Sequence, residues 1–86
     1  MLRVGFHPRA AKQLLRIPKQ FQEQILHSLS ALETLNHPLQ HQRVIKLSGR
    51  DGKDFRMRVG DYRAKFSLRD NGDVLVTRVE HRQVGY

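Results

Sequence analysis

Two tight-turn signals in the second half of the sequence constrain the fold most. Gly60-Asp61 separates two runs in which apolar and basic residues alternate, and Asn71-Gly72 separates the second run from a third. Asn-Gly is the strongest short hairpin signal, because both residues accept the positive φ angles of two-residue turns. The pattern therefore predicts three consecutive antiparallel strands, and a strand "VIKLS" over 44–48 precedes them.

The two turns also predict which side chains face each other across these strands. One face is apolar, with the predicted pairs Val59–Tyr62, Met57–Ala64, Phe55–Phe66, Leu68–Leu75 and Ala64–Val79. The other face is basic, with the predicted pairs Arg58–Arg63, Arg56–Lys65, Lys65–Arg78, Arg63–Glu80 and Asp61–Arg82. Like charges directly opposite each other destabilise a sheet. Arginine binds phosphate through a planar fork, so this face is typical of a surface that binds a phosphate backbone.

The first half of the chain predicts one strand and two helices. Apolar and polar residues alternate over 2–7, which is typical of a strand. Pro8 suits the first turn of a helix, and Pro18 ends that helix. The second helix carries an apolar stripe of Phe21, Ile25, Leu29, Leu32 and Leu35. The order predicts an α+β fold: an N-terminal strand and a helical hairpin packed on one face of a mostly antiparallel sheet of four to five strands.

Composition narrows the classes of partner. The chain has 86 residues, which suit a single domain over 1–86, and 16 Lys and Arg against 8 Asp and Glu give a net charge of +8. This balance favours an anionic partner. The chain has no cysteine, no apolar run that could span a membrane and no signal-peptide core, so we expect a cytoplasmic location and no membrane partner. His37 and His41 have a metal-like spacing, but Pro38 argues against the helix it needs, and no metal site is expected.

Two segments carry a resemblance to a known family. "KLSGRDGKDFRMRVGDYRAKF" over 46–66 and the terminal "VEHRQVGY" resemble the RelE branch of the RelE/ParE toxin superfamily, and "FHPRAAKQLLRIPKQFQEQI" looks like its N-terminal helical hairpin. The resemblance implies a RelE-like, microbial-ribonuclease-like fold and a toxin of a type II toxin–antitoxin system. RelE-type toxins cleave mRNA, usually in the ribosomal A site, without metal or cofactor. The RNA 2′-OH attacks the adjacent phosphate and leaves a 2′,3′-cyclic phosphate and a 5′-OH.

The resemblance also implies roles for individual residues. Arg56 and Arg58 match basic strand residues near the scissile phosphate, and Arg63 matches an arginine that stabilises the transition state. Arg82 matches the basic residue near the leaving oxygen, and Tyr86 matches a tyrosine that orients the substrate or stacks on it. We expect further RNA contacts from the remaining basic residues of this region, Lys46, Lys65 and Arg78.

The general base stays open at this point. A guanidinium remains protonated at ordinary pH, so neither Arg56 nor Arg58 can readily take a proton. The candidates are Glu80, His81, Tyr86 and the ribosome itself. Histidine is the side chain that titrates near neutral pH. The predicted register, however, places His81 opposite Tyr62 on the apolar side, whereas Glu80 lies among the arginines.

The implied partners are mRNA, the ribosome and a cognate antitoxin whose acidic segment covers the basic face. A toxin–antitoxin heterotetramer is one candidate assembly. Two alternative functions remain at this stage: a ParE-type poison of DNA gyrase, and a catalytically inactive module that binds RNA or antitoxin. The exposed basic face also predicts that Arg63→Ala leaves stability unchanged or slightly raised, because the change removes a like-charge contact.

Overall fold

The fold is a five-stranded sheet with helices on one side. The computed structural model describes residues 1–49 and 52–83. The strands are β1 (Arg3–Phe6), β2 (Val44–Lys46), β3 (Asp54–Val59), β4 (Tyr62–Leu68) and β5 (Asp73–His81). The helices are α1 (Pro8–Leu15) and α2 (Lys19–Ser30), followed by 3₁₀ turns at Ala31–Thr34 and Pro38–Gln40. The predicted α+β class and order of elements are confirmed.

The strand order is β1-β5-β4-β3-β2, and β1 with β5 forms the parallel pair. The other described strand pairs are antiparallel. The first hairpin has the predicted register throughout, from Val59–Tyr62 at the turn to Phe55–Phe66. Gly60 adopts a φ of 57°, which glycine accepts without the steric cost of a side chain. The β3–β4 register therefore follows from its turn.

The second hairpin departs from the prediction near its turn. Arg69 N donates to Asp73 O (2.7 Å), which leaves three loop residues instead of two, and Leu68 faces Val74 instead of Leu75. The register then shifts back between Lys65 and Phe66, at a β-bulge. The two displacements cancel. The predicted pair Leu68–Leu75 is wrong for this reason, whereas Ala64–Val79, Lys65–Arg78 and Arg63–Glu80 are confirmed.

The core lies between the helices and one face of the sheet. The apolar stripe on α2 buries Ile25 and Leu29, and α1 buries Ala10 and Leu14. Facing them are alternate residues of the central strands, namely Phe55, Met57, Val59, Ala64, Phe66, Val74, Val76 and Val79. Burial of this side chain set is the main favourable contribution to folding. No helix among residues 1–49 and 52–83 covers the opposite face of the sheet.

The start of α1 fixes how the helical layer meets the sheet. His7 caps the helix, its Nδ1 accepting from Arg9 N (3.1 Å), and its own N–H donates to Val76 O (2.8 Å). Further along the same helix, Gln13 Oε1 accepts from Val79 N (2.8 Å). α1 therefore follows β1 along the edge of β5, and Gln13 accepts a hydrogen bond from a backbone N–H group of β5 beyond the end of β1. Within the described chain no helix has the length and hydropathy needed to cross a bilayer.

Candidate active site

The uncovered face of the sheet carries the predicted basic side chains in two rows. Their register is confirmed: Arg56, Lys65 and Arg78 lie side by side across β3, β4 and β5, and Arg58, Arg63 and Glu80 form the next row. We call these six side chains the arginine face. Strand pairing brings together residues that are up to 24 positions apart in the sequence, and it does so with one acid among five cations.

The arginine face deepens into a cavity at its β2 side. The cavity has a volume of about 520 Å³ and is lined by Gln42, Arg43, Ile45, Arg56, Arg58 and Arg63. Four of these six residues are arginines, and none is acidic. Converging guanidinium groups are the protein's best donors for phosphate oxygens, because each presents a fork of parallel N–H bonds. This cavity, the arginine pocket, can hold a phosphodiester group.

Three residues of the arginine pocket, namely Gln42, Arg43 and Ile45, are outside the predicted site. Ile45 faces Arg56 across β2 and β3, and the backbone O of Arg43 accepts from Arg58 N (3.1 Å). Arg43 therefore stands beside Arg58 at the pocket wall. The alternation in "VIKLS" predicts that Ile45 and Leu47 share one face of the strand. It does not predict which face of the sheet that is. The β2–β3 connection is longer than a two-residue turn, so the glycines within it do not set the register that would reveal Arg43.

Arg63 is buried, although the sequence predicts that it lies on an exposed basic surface. It is 9% exposed, and its Nη1 donates to Tyr62 O (3.0 Å) and Gly60 O (3.3 Å). The predicted exposure of Arg63 is therefore wrong, and with it the reason for expecting Arg63→Ala to be neutral for stability. The side chain lies on the middle strand of the three and folds back over the tight turn. Its guanidinium is held in place before any substrate binds, whereas Arg58 on the neighbouring strand is exposed.

Glu80 lies in the same row but is withdrawn from solvent. Its side chain is 14% exposed, and Lys65 Nζ lies 3.9 Å from Oε1. Among the described residues Oε1 is buried and has no hydrogen-bond partner. A general base must come within hydrogen-bond reach of the proton it takes. In this conformation Glu80 balances the charge of the cations around it, and the buried oxygen does not reach a ligand on the surface.

His81 lies on the other side of the sheet. It pairs with Tyr62, as the register predicts, and the two rings make an edge-to-face contact with 5.3 Å between centroids. Its Nδ1 accepts from Gln83 N (3.2 Å). The structure therefore separates His81 from the arginine pocket, and the base role considered for it loses its geometric support in this arrangement.

The other predicted residues divide between the two sides of the sheet. Lys65 and Arg78 lie on the arginine face, as expected. Lys46 does not, because it pairs with Phe55 and so projects on the helical side, where its Nζ lies near Gly52. The expectation that Lys46 binds RNA together with the arginine face is not supported by this placement, which follows from the β2–β3 register.

The chain end brings Arg82 toward the first turn. Arg82 N donates to Asp61 O (2.7 Å), and its Nε lies 3.7 Å from Asp61 Oδ1. This confirms the predicted Asp61–Arg82 pairing and ties Arg82 to the turn that also positions Arg63. Tyr86 lies outside the described residues.

Comparison with known proteins identifies the family. The profile described as "ParE toxin of type II toxin-antitoxin system, parDE" matches residues 4–86. The chain belongs to the ParE toxin family. This membership confirms the superfamily that the sequence resembles. No curated protein sequence matches this toxin-family chain significantly.

Solved structures place the same chain beside RelE proteins. It resembles a chain of the archaeal RelE–RelB complex from Pyrococcus horikoshii OT3, with 29% identity, a TM-score of 0.77 and 94% of each chain covered. A chain of the RelB–RelE antitoxin–toxin complex from Methanococcus jannaschii matches with 23% identity and a TM-score of 0.74, over 100% of this chain and 95% of that one. The toxin–antitoxin complex RelBE2 from Mycobacterium tuberculosis matches with 22% identity and a TM-score of 0.76, over 94% and 98%. The predicted RelE-like fold is therefore confirmed.

Proposed function

We propose that this toxin-family chain is an endoribonuclease that cleaves mRNA in the ribosomal A site and so inhibits translation. The observation that carries the proposal is the arginine pocket, where Arg43, Arg56, Arg58 and Arg63 line one open cavity and no described lining residue is acidic. Such a set of donors fits a phosphodiester whose negative charge grows during reaction. The similarity to RelE structures supports the same branch of the superfamily.

Besides the RNA and the guanidinium donors of the arginine pocket, the proposed reaction needs a base for the 2′-OH and a proton donor for the leaving oxygen. The 2′-oxygen attacks the adjacent phosphorus and its proton leaves with a base. The bond from phosphorus to the 5′-oxygen then breaks, and that oxygen takes up a proton. The products are a 2′,3′-cyclic phosphate and a 5′-OH. The extra negative charge lies on the phosphorane oxygens in the transition state, where fixed guanidinium donors stabilise it.

The structure suggests how the arginines divide this work. Arg63 is held by two backbone carbonyl oxygens, so its charge is preorganised and little reorganisation accompanies the reaction. Arg56 and Arg58 come from the adjacent strand and can close on the phosphate from the other side. Arg82, fixed at Asp61, is the candidate for the leaving oxygen. Because one carboxylate oxygen of Glu80 is buried, Tyr86 or a group of the ribosome is the better candidate for the base.

We propose in addition that a cognate antitoxin holds this chain inactive through an acidic segment laid on the arginine face. Three structurally similar proteins are seen as complexes with RelB partners. The net charge of +8 and the uncovered cations explain why an acidic segment fits.

The experiment is a brief induction of the chain in cells, followed by mapping of RNA 3′ ends. Cuts within codons of translated messages are expected, and Arg58→Ala should abolish them. Arg69→Ala is the matched control, since it removes an exposed arginine outside the arginine face. Because the family profile carries the ParE name, DNA is examined in the same cells. Double-strand breaks with an SOS response and intact mRNA would replace the nuclease with a gyrase poison. Intact mRNA and intact DNA would leave only a binding module.

A further inference from the structure

A second basic surface lies on α1, outside the arginine face. Residues 1–22 contain five Lys and Arg and no Asp or Glu, and the first acid is Glu23. Three of these cations, Arg9, Lys12 and Arg16, line a depression together with Gln13. We call these four residues the α1 stripe. Their spacing of three and four residues places them along one side of the helix.

The cations of the α1 stripe are exposed and repel one another. The ion pairs of the described residues use other cations, namely Arg3, Lys53, Lys65 and Arg82. Like charges three and four residues apart destabilise a helix by about 0.2–0.5 kcal/mol per pair. α1 has only eight residues and no acid in its first turn, so nothing within the helix offsets this repulsion. An anionic partner would remove it.

The position of Gln13 shows where the α1 stripe lies. Its side chain oxygen accepts from Val79 N at the open edge of β5 (2.8 Å). Val79 stands between Arg78 and Glu80, whose side chains belong to the arginine face. The flank of α1 that carries the stripe therefore borders the arginine face across the edge of one strand. A polymer that leaves this face past β5 meets the stripe next.

The chemistry of the α1 stripe favours nucleic acid over protein. Its lining consists of three cations and one amide, with no aromatic or aliphatic side chain. The centre of a protein interface is apolar and rich in aromatic residues, whereas a sugar–phosphate backbone needs only cationic and amide donors. From Arg9 to Arg16 the helix rises about 10 Å, at 1.5 Å per residue. With about 3.4 Å per nucleotide, that length matches roughly three phosphates of one strand.

We propose that the α1 stripe binds the phosphate backbone of an RNA segment flanking the one in the arginine pocket, so that the toxin grips RNA at two places. The inference rests on the proposed function in that RNA is the polymer concerned. Cleavage chemistry belongs to the arginine pocket, and the α1 stripe contributes affinity only.

The test measures binding of RNA that cannot be cleaved. A fluorescein-labelled single strand of 20 nucleotides with 2′-O-methyl groups lacks the attacking hydroxyl, so fluorescence anisotropy reports affinity alone. The stripe variant is Arg9→Gln/Arg16→Gln. The control is Lys19→Gln/Arg69→Gln, which removes the same charge from exposed positions outside both surfaces. We expect the stripe variant to bind about ten- to thirty-fold more weakly at 0.1 M salt. Its slope of log K against log salt should fall by about 1.4, because each phosphate contact contributes about 0.7.

The control variant, a lysine variant and antitoxin binding separate this proposal from its alternatives. The control should keep wild-type affinity, and Arg9→Lys/Arg16→Lys should restore most of the loss, since a phosphate contact needs charge more than shape. Equal affinity of stripe and control variants would overturn the proposal. So would a stripe variant that binds RNA normally and loses only its antitoxin. Because the RNA is uncleavable, the result stands whether or not the wild-type chain proves to be a nuclease.

Discussion

The two faces of the sheet are made by the same strands and differ in almost every physical respect. On the helical side Phe55, Met57 and Phe66 are buried among aliphatic residues. On the other side Arg56, Arg58 and Lys65 stand beside further cations. One face lowers the free energy of the fold through burial of apolar area, and the other raises it through repulsion between neighbours.

This difference assigns stability to one face and, under the proposed function, RNA binding and cleavage to the other. A second contrast lies within the arginine face itself, between exposed Arg58 and buried Arg63. Arg63 contributes to stability as well as to the pocket, because its guanidinium lines the arginine pocket and also donates to carbonyl groups at the Gly60 turn. Substitutions can separate the contributions to stability from those to cleavage, and the expected effects are largest for core residues and smallest at the exposed hairpin tip.

The largest loss of stability is expected on the helical side. Phe66 is 1% exposed and stacks on Phe55 with 5.6 Å between ring centroids. Phe66→Ala should lower the free energy of unfolding by about 3–5 kcal/mol, through lost transfer energy and a residual cavity. Urea unfolding followed by circular dichroism measures it. Phe66→Leu is the control and should cost much less. A loss below 1 kcal/mol for the alanine variant would contradict the assignment of stability to this face.

The next largest effects are expected on catalysis, and they separate the two arginines. Removal of one preorganised donor typically lowers the rate by about 10²–10³, or ~2.7–4 kcal/mol. Arg58→Ala and Arg63→Ala should both show such losses in single-turnover cleavage on programmed ribosomes, with the larger loss for Arg63. Arg63→Lys should stay poor, because a point charge does not replace a fork.

Stability distinguishes the same two variants. Arg63→Ala should also lower the free energy of unfolding by about 1–3 kcal/mol, because two carbonyl groups lose a donor in a partly buried site. Arg58→Ala should leave unfolding unchanged. Wild-type cleavage by Arg63→Ala would remove it from the active site, and wild-type stability would show that its carbonyl contacts contribute nothing.

A comparable loss of stability, with no loss of catalysis, is expected where α1 meets the edge of β5. Gln13→Ala leaves Val79 N without its acceptor, and this should cost about 1–3 kcal/mol. Hydrogen exchange of the Val79 amide should accelerate with it. Gln13→Glu keeps an oxygen at the same place and serves as the control. If both variants exchange at the wild-type rate, the side chain does not protect this edge.

The smallest effect is expected at the tip of the second hairpin, which belongs to neither face. A hydrogen bond from Lys53, together with its charge, lowers the pKa of the exposed carboxyl of Asp70 below its ordinary value of 3.8. A carboxyl whose pKa falls on folding stabilises the protein above that ordinary value, and the contribution is lost as the pH falls through the folded pKa. The stability difference between wild type and Asp70→Asn should therefore be small and constant above about pH 5, and should shrink as the pH falls below 3.8 toward the lowered pKa of the folded state. Urea titrations across this range measure it, and a difference that grows on acidification would reverse the sign.

The sequence by itself determined the order of elements, the apolar face and the first hairpin. These follow from local rules, because alternation sets the face of each strand residue and the Gly60 turn sets the register. The resemblance to RelE toxins likewise rests on contiguous residues around "GDYR". The family match confirms the superfamily, and the similarity to the RelE chain of the Pyrococcus complex supports the RelE-type branch.

Only the tertiary structure decided the rest of the site. The loop after β4 has one residue more than its Asn-Gly signal suggests, and a bulge in β5 restores the register; neither can be read from local pattern. The register of β2 against β3 follows a long connection, so the sequence does not predict it. This register places Arg43 at the arginine pocket and Lys46 on the helical side. The burial of Arg63 depends on the strands at both sides of β4. These outcomes depend on residues distant in sequence, whose contacts exist only once the sheet has assembled.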